Sequence, residues 1–109
     1  MDTARHSIST NQTLLKGEAI FSRSGNYKAV FETNGNFVLY EWKQKWASET
    51  SHLNGDCIVL EDDSTLAIYK EREIIEKIGK PHPQSTKWRV TVSDDGHLIA
   101  SIVGQPGLK

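Results

Sequence analysis

A run of alternate residues in the first half of the chain has the side-chain types needed to bind a polar ligand. Its members are Glu32, Asn34, Asn36, Val38 and Tyr40. A carboxylate accepts hydrogen bonds, an amide both donates and accepts them, and a phenol does either. Because side chains two apart on a strand share a face, these residues would line one surface opposite an apolar face. We call this surface copy one.

The turn between the two strands decides whether these side chains really share a face. A two-residue turn would place Glu32 on the same side as the apolar Phe37. A three-residue loop with Gly35 in the left-handed conformation instead pairs Glu32 with Asn36 and keeps the faces distinct. We predict the three-residue loop, because a slip of one residue would turn apolar side chains into water.

The same pattern recurs twice further along the chain. The outward residues of copy two are Glu61, Asp63, Thr65, Ala67 and Tyr69, and those of copy three are Ser93, Asp95, His97, Ile99 and Ser101. The residues predicted to face the core are Ile58, Leu60, Leu66 and Ile68 in copy two, and Val90, Val92, Leu98 and Ala100 in copy three. Equivalent positions are roughly 30 residues apart, a period that indicates stacked or radially repeated units.

Three hairpins that are each apolar on one face can bury those faces only against one another. The repeats therefore predict an all-β, pseudo-threefold β-prism or barrel. We expect one domain over residues 1–109, with repeats at about residues 15–50, 51–80 and 81–109.

The remaining segments are read by comparison with copy one. Short strands are predicted around residues 14–15 and 19–21. Residues 70–78 could form two turns of helix, but their equivalence with residues 41–50 predicts a strand and a connection. Residues 80–85 contain two prolines and are predicted to form a loop.

Composition excludes several classes of function. The chain of 109 residues has 13 basic and 14 acidic side chains and a pI near 6.4, so we expect no nucleic-acid partner and no charge-driven membrane partner. No apolar run approaches the roughly 20 residues of a membrane span, and the polar residues 1–6 predict no signal peptide. We therefore expect no membrane insertion and synthesis in the cytosol.

No group of residues predicts catalysis, a metal site or a cofactor. Cys57 has no second cysteine to pair with and is interpreted as an incidental thiol. The aspartate pairs at 62–63 and 94–95 lack the further oxygen ligands of a calcium loop, and turn chemistry accounts for them. The scattered histidines have no cysteine at zinc-ligand spacing. The chain is therefore not expected to be an enzyme.

The residues of copy one resemble a known sequence motif. The monocot mannose-binding, or bulb-type, lectins carry Gln-x-Asp-x-Asn-x-Val-x-Tyr once per repeat, and this pattern falls on residues 32–40. Residues 46–48, Trp-Ala-Ser, are similar to the strand after that site, and residues 9–11, 27–31 and 95–98 are similar to the lily-type lectins of fish skin and gill. The resemblance extends from Ser9 to about Ser101 and implies the β-prism II fold of three antiparallel sheets.

The resemblance also implies a role for each motif position. In the family, Gln, Asp and Asn bind the 2- and 3-hydroxyls of mannose, Tyr binds the 4-hydroxyl, and Val packs on the apolar carbons. Copy one has Glu32 in place of Gln and Asn34 in place of Asp, which roughly preserves its charge and polar capacity. Copy two keeps only the Asp and the Tyr of the motif, and copy three keeps only the Asp. The sites are therefore predicted to be degenerate and best retained in copy one.

The tryptophans are assigned by the same resemblance. Family members fill the centre of the prism with tryptophan, so Trp46 and Trp88 are expected in the core. Trp42 has the outward parity of Tyr40 and could extend the binding surface or a subunit contact. Copy two lacks the expected aromatic residue near residues 76–77, and Ile75 or Ile78 is expected to fill that space.

Two functions from different classes are compatible with these residues. The first is a mannose-type lectin that binds mannose-containing glycans through copy one and gains avidity as a dimer. The alternative is a β-prism scaffold without sugar binding that serves protein recognition. By resemblance to plant relatives, a homodimer could form by exchange of a C-terminal strand, residues 99–103 followed by 104–107. The fish-type resemblance implies release to extracellular mucus by an unconventional route and a role in innate defence.

Overall fold

The computed structural model describes residues 5–41 and 43–103, and the strands in these residues form three antiparallel sheets. The strands are β1 (Ser7–Ser9), β2 (Thr13–Leu15), β3 (Ala19–Phe21), β4 (Lys28–Phe31), β5 (Phe37–Tyr40), β6 (Gln44–Ala47), β7 (Cys57–Leu60), β8 (Leu66–Lys70), β9 (Glu73–Ile78), β10 (Trp88–Val92) and β11 (Leu98–Ile102). A single 3-10 turn, Ser51–Leu53, follows β6. Within the described ranges, no helix is long and apolar enough to cross a bilayer.

Each sheet is built around one of the repeated hairpins. Sheet I has the strand order β3-β4-β5-β6 and contains copy one, and sheet II has the order β2-β7-β8-β9 and contains copy two. Sheet III has the order β1-β10-β11 among the described residues and contains copy three. The three N-terminal strands thus join three different sheets. This arrangement confirms the predicted all-β, three-sheet architecture.

The predicted register holds in all three hairpins. The last paired residues before each loop are Phe31 with Phe37, Leu60 with Leu66, and Val92 with Leu98. In copy one the N–H of Glu32 donates to the carbonyl of Asn36 at 2.8 Å, and Gly35 has a φ of +88°. The equivalent loop positions, Ser64 and Gly96, also have positive φ. The faces of the three hairpins are therefore divided as predicted.

The inward faces meet in one apolar core. Its buried members are Ile8, Leu14, Ile20, Ala29, Phe31, Phe37, Leu39, Ile58, Leu60, Leu66, Ile68, Trp88, Val90 and Val92. Strand β1 was not predicted, because its three residues offer only Ile8 as an apolar signal. It pairs with β10 and inserts Ile8 fully into the core.

Residues 70–78 form a strand, as predicted, and their isoleucines complete the core of sheet II. Ile75 and Ile78 are partly buried against the core cluster. Their packing confirms that aliphatic side chains occupy the region where copy two lacks an aromatic residue. Gly55 lies under this packing, and a Cβ there would come within 2.3 Å of the Ile68 Cγ2.

Two residues assigned to the core from the sequence are exposed instead. Trp88 is buried as expected, but 38% of Trp46 is exposed. Trp46 lies on the edge strand β6, where its ring makes an edge-on contact with the core residue Phe37, with ring centres 6.1 Å apart. Ala100 is exposed because β11 is an edge strand in the described part of sheet III. Trp42 and residues 104–107, for which a surface and a strand were predicted, lie outside the described residues.

Candidate functional site

The Asn36 side chain of copy one is held in place by hydrogen bonds. Its Oδ1 accepts hydrogen bonds from the Ser48 Oγ at 3.1 Å, the Glu49 N–H at 2.8 Å and the Thr50 N–H at 3.3 Å. This one amide oxygen therefore holds the segment that connects β6 to the next repeat. Glu49 adopts a φ of +60°, an uncommon conformation for a non-glycine residue, and its bond to Asn36 helps to hold it there.

These bonds also orient the rest of the Asn36 amide. With Oδ1 fully engaged, the Nδ2 group is the part of the side chain left to donate. Within residues 5–41 and 43–103 it has no acceptor. A hydrogen-bond donor is thus placed on the outer face of sheet I.

The loop of copy one is held by side-chain bonds to its backbone. The Asn34 Oδ1 accepts a hydrogen bond from the Asn36 N–H at 3.0 Å, which is a local turn bond typical of asparagine. The buried Thr50 hydroxyl donates to the Gly35 carbonyl at 3.0 Å. Asn34 is exposed at the tip of the loop.

Glu32 and Tyr40 are joined across the two strands. The Tyr40 hydroxyl donates to the Glu32 Oε2. This hydrogen bond, followed by partial burial and the carboxylate charge, raises the pKa of the Tyr40 phenol. The Lys28 ammonium lies 5.7 Å from the centre of the Tyr40 ring, so a cation also adjoins the pair.

Val38 lies on the outer face as predicted, but it is not accessible there. Its cross-strand neighbours are Val30 and Ala47, and only 1% of Val38 is exposed. The expectation that Val38 lines an open surface is therefore wrong in this conformation. Val38 is flanked by a strand on each side, and Glu32 and Tyr40 on the same face are bonded to each other.

In copy two, an acid and a phenol are hydrogen-bonded as in copy one, but the small residues between them differ. The Tyr69 hydroxyl donates to the Glu61 Oε2 at 2.8 Å, and this bond, with partial burial and the nearby charges of Glu61 and Cys57, raises the pKa of Tyr69. Thr65 and Ala67, expected on an open outer surface, are fully buried. That expectation is wrong: Thr65 is bonded to Asp63, and Ala67 lies opposite Lys77, whose side chain reaches Asp63.

Asp63 in copy two is fully engaged by its neighbours. Its Oδ1 accepts hydrogen bonds from the Thr65 hydroxyl at 2.6 Å and the Thr65 N–H at 3.1 Å, and its Oδ2 lies 3.4 Å from the Lys77 Nζ. The bond from the Thr65 hydroxyl is the largest cause of the lowered pKa of Asp63. Lys77 is paired with Ala67, so its side chain crosses the face that would receive a ligand.

A loop is fastened to the tip of copy two. The His82 N–H donates to the Asp63 carbonyl at 2.8 Å, and the Thr86 N–H donates to the Asp62 carbonyl at 3.0 Å. The indole N–H of Trp88 donates to the same Asp62 carbonyl at 3.0 Å. This prolyl loop, residues 80–85, was predicted as a loop, but its contact with copy two was not.

Copy three lacks a converging set of ligand-binding groups. Ser93 donates to the Asp95 Oδ1, and the His97 Nδ1 lies 3.2 Å from the same oxygen. The bond from Ser93, followed by that from His97, lowers the pKa of Asp95. Ile99 is 45% exposed on this face, and Ser101 stands where copies one and two have tyrosine. The polar groups here bind one another at the loop tip.

The three copies thus differ in what they can do. Copy one presents an amide donor, a carboxylate and a phenol on one face. Such a set can recognise neighbouring hydroxyl groups, but it contains no nucleophile paired with a base. In the part of the chain that the structure describes, no three metal-ligating side chains come together. The arrangement is suited to binding.

The supporting residues were harder to find than the motif. Ser48 was noted only as part of the Trp-Ala-Ser sequence, and Glu49 and Thr50 carried no signal at all. They follow Asn36 by more than ten positions and meet it only because β6 folds back beside β5. Lys77 also gave no signal in the sequence, because its effect on copy two depends on its pairing with Ala67.

Three antiparallel sheets around one core, each with an equivalent hairpin, define the β-prism II class. The Polygonatum cyrtonema lectin, solved with a monomannoside, superposes with a TM-score of 0.77 at 24% identity, over 95% of this chain and 97% of that lectin. The mannose-specific agglutinin of snowdrop (Galanthus nivalis) bulbs, solved with methyl-α-D-mannoside, gives a TM-score of 0.76 at 20% identity, over 88% of each chain.

The chain also has a relative of similar sequence. The B-type lectin plumieribetin of the fish Scorpaena plumieri is 37% identical over 62 residues, which are 57% of this chain and 55% of plumieribetin. The match thus spans about half of the length of that relative. No protein-family model matches the chain.

The chain is thus similar to B-type, or bulb-type, lectins over part of its sequence, and it has the fold of the plant lectins. The family resemblance and the β-prism II fold expected from the sequence are confirmed.

Proposed function

We propose that this protein is a mannose-type lectin that binds through copy one. The observation that carries the proposal is the Asn36 amide, whose oxygen is held by three donors, so that its Nδ2 group is left to donate on the sheet face that also carries Glu32 and Tyr40. A fixed donor next to two groups that can accept hydrogen bonds suits adjacent hydroxyls on a sugar ring. The two plant lectins that share the fold were solved with mannosides, which supports the choice of sugar.

In this proposal, each side chain of copy one has a distinct role. Asn36 and Asn34 donate to ring hydroxyls through their amide nitrogens, and Glu32 accepts from a hydroxyl. Tyr40 binds a further hydroxyl, and Val38 packs against the apolar carbons of the ring. The exchange of Gln for Glu and of Asp for Asn relative to the family motif changes which group donates, because a carboxylate can only accept.

Opening of the Glu32–Tyr40 pair limits the affinity. A sugar that contacts Tyr40 and Val38 must displace the bond between Tyr40 and Glu32, and a hydrogen bond to a charged group contributes about 1.5–3 kcal/mol. A loss of 1.4 kcal/mol weakens binding tenfold. We therefore expect a dissociation constant in the millimolar range or weaker for a single mannoside.

The same closure supports the second candidate, a β-prism scaffold without sugar binding that serves protein recognition. Val38 is covered in this conformation, and a pair that stays closed would exclude a sugar from it. An apolar groove of about 350 Å³ beside Trp46 and Leu98 would then be the surface available to a protein. The two candidates differ in whether the Glu32–Tyr40 pair opens.

We propose that copies two and three do not bind mannose. In copy two, Ala67, which occupies the position of Val38 in copy one, is buried, and the Asp63 carboxylate is occupied by Thr65 and Lys77. In copy three the Asp95 carboxylate is occupied by Ser93 and His97. A single weak site per chain would need a second chain to give useful avidity.

We also propose a homodimer formed at the free edge of β11. Within the described residues, sheet III has three strands where the other sheets have four. A groove of about 230 Å³ next to β11 is lined by apolar side chains that include Ile78, Leu98 and Ile99. The segment predicted to be exchanged, residues 99–103, instead pairs with β10 of its own chain over Leu98–Ile102. An edge strand beside an apolar groove favours pairing with a second copy.

Nuclear magnetic resonance titration with methyl α-mannoside tests the lectin proposal. We expect the amide signals of residues 32–40 and 48–50 to shift, while those of copies two and three stay in place. Methyl α-glucoside, whose 2-hydroxyl is equatorial, serves as the control sugar and should shift them less. An unchanged spectrum at several hundred millimolar mannoside would rule out the lectin function and leave the scaffold.

Analytical ultracentrifugation tests the dimer separately. The native protein is expected to sediment as a dimer, and Ile99→Lys, which places a charge on the β11 edge, should shift it to the monomer. A native protein that stays monomeric at high micromolar concentration contradicts the dimer without affecting the sugar titration.

A further inference from the structure

Sheet III carries a polar groove that is separate from copy one. Its volume is about 550 Å³, and it is lined by residues of β1 and β10 and by Arg23 from the loop after β3. Binding pockets for small molecules have volumes of this order. The groove is thus large enough for a saccharide unit.

The groove contains two guanidinium groups. Arg89 lies on the outer face of β10, and Arg23 comes from a different sheet. Among the residues that the structure describes, neither arginine has a carboxylate within salt-bridge distance. With Asp94 as the acidic lining residue, the groove has a net positive charge although the chain as a whole has a net charge of −1.

The loss of the tyrosine in copy three leaves Arg89 without the aromatic partner that its counterpart in copy one has. Arg89 pairs with Ser101, and the equivalent pair in copy one is Lys28 with Tyr40. There the lysine ammonium lies against the tyrosine ring, at 5.7 Å from its centre. Ser101 has no ring, so Arg89, which is exposed and lines the groove, makes no such contact.

The loop that carries Arg23 is fixed in place. The Asp94 Oδ1 accepts a hydrogen bond from the Ser24 N–H at 3.0 Å, which ties this loop to the hairpin of copy three. That bond is the largest cause of the lowered pKa of Asp94, so the carboxylate stays ionised and engaged with the loop. Arg23 is therefore held beside the groove by its neighbour in the chain.

The remaining lining groups suit the hydroxyls of a sugar. Ser7 and Thr91 are cross-strand partners on the outer face, and both line the groove. The His6 Nδ1 lies 3.1 Å from the Phe21 carbonyl, which can only accept, so Nδ1 carries a proton. The other ring nitrogen of a neutral His6 is then an acceptor for a hydroxyl donor.

We propose that this groove binds an acidic saccharide, with its sulfate or carboxylate group between Arg23 and Arg89 and its ring hydroxyls on Ser7, Thr91 and His6. Guanidinium groups bind such oxyanions with paired, charge-assisted hydrogen bonds. This site does not depend on copy one, so it would stand whether or not copy one binds mannose.

Titration with 3′-sialyllactose, a sulfated disaccharide, neutral lactose and inorganic sulfate tests the proposal. We expect the amides of Ser7, Arg89 and Thr91 to shift with at least one acidic saccharide and not with lactose. Inorganic sulfate should bind more weakly than that saccharide, because it makes no contact with the hydroxyl-binding groups. Equal affinity for inorganic sulfate and both acidic saccharides, or no binding at all, would overturn the site.

Matched variants separate the groove from general charge effects. Arg89→Gln should weaken the acidic saccharide about fivefold to tenfold, as expected for loss of a charge-assisted hydrogen bond. Arg72→Gln makes the same charge change at an exposed position in the β8–β9 turn and should leave the affinity within about twofold. Thr91→Val removes a hydroxyl at constant charge and should weaken the saccharide but not inorganic sulfate. Equal losses in Arg89→Gln and Arg72→Gln would contradict the proposal.

Discussion

Replacement of Asn36 separates the structural role of its side chain from its role in binding. Asn36→Ala removes the oxygen that accepts bonds from Ser48, Glu49 and Thr50. The three bonds do not count equally. The Glu49 N–H can turn to water, because Glu49 is exposed, and the Ser48 hydroxyl keeps a bond of 2.8 Å to the Thr50 hydroxyl. The main loss is at the N–H of the buried Thr50.

The expected loss of stability in Asn36→Ala is the sum of these contributions. One unsatisfied buried group costs about 1–3 kcal/mol, and the other two bonds contribute a few tenths to 1 kcal/mol more. We expect Asn36→Ala to lower the free energy of unfolding by about 2–3 kcal/mol, and the melting temperature by about 10 °C. Asn36→Asp keeps an acceptor at the same position and should cost less than about 1 kcal/mol, mostly through repulsion from Glu32.

Binding should not follow stability, because both variants lose the Nδ2 donor but only Asn36→Ala loses much stability. Asn36→Asp replaces the Nδ2 donor by an acceptor, so mannoside binding should be lost although the protein stays folded. Urea denaturation measures the first effect, and titration with methyl α-mannoside measures the second. If Asn36→Ala is as stable as the native protein, the oxygen does not hold the chain after β6. If Asn36→Asp binds mannoside normally, Nδ2 is not the donor.

Three further predictions concern stability and charge. Glu32→Gln should lower the pKa of the Tyr40 phenol, measured by absorbance against pH, because the carboxylate bond and charge raise it. Since a raised folded-state pKa stabilises the fold below the unfolded tyrosine value of about 10, this contribution is lost as pH rises through the Tyr40 pKa, and Glu32→Gln should flatten the alkaline loss. Gly55→Ala should destabilise by about 1–3 kcal/mol in urea, because its Cβ would lie 2.3 Å from the Ile68 Cγ2 in the core. Lys77→Ala should change the unfolding free energy by less than about 1 kcal/mol, since its ion pair is partly exposed; a larger change would mean that this lysine has a role in packing.

The register of the hairpins was predictable because its determinants are local. The alternation around Phe31 and Phe37, with Gly35 at the end of the loop, allowed only one pairing that buries the apolar side chains. The same reasoning held for copies two and three. The assignment of residues 70–78 to a strand also held, because β9 occupies the place of β6 in the repeat.

Predictions about exposure were less successful because they depend on neighbours from other strands. Val38 and Ala67 were assigned to the outer face correctly, but both are buried between neighbouring strands of their sheets. Trp46 has the inward parity of a core residue, yet it lies on an edge strand where few residues pack against it. The alternation along a strand tells which face a residue lies on, but it does not tell which other residues cover that face.

The N-terminal strands show the same limit. Each of β1, β2 and β3 has only three residues, and they join three different sheets. A segment as short as β1 gives almost no periodic signal, although Ile8 is fully buried. Its position depends on pairing with β10, more than 70 residues away in the chain.

The sequence by itself determined the three hairpins, their registers and the side chains that each presents outward, because turn chemistry and period-two alternation act over a few residues. The tertiary structure alone decided which of those outward surfaces is open. Asn36 acquired its three donors, copy two acquired Lys77 and the loop of residues 80–85, and Arg23 met Arg89 through contacts between segments distant in sequence. Such contacts follow from how the sheets close around the core, and no local pattern specifies them.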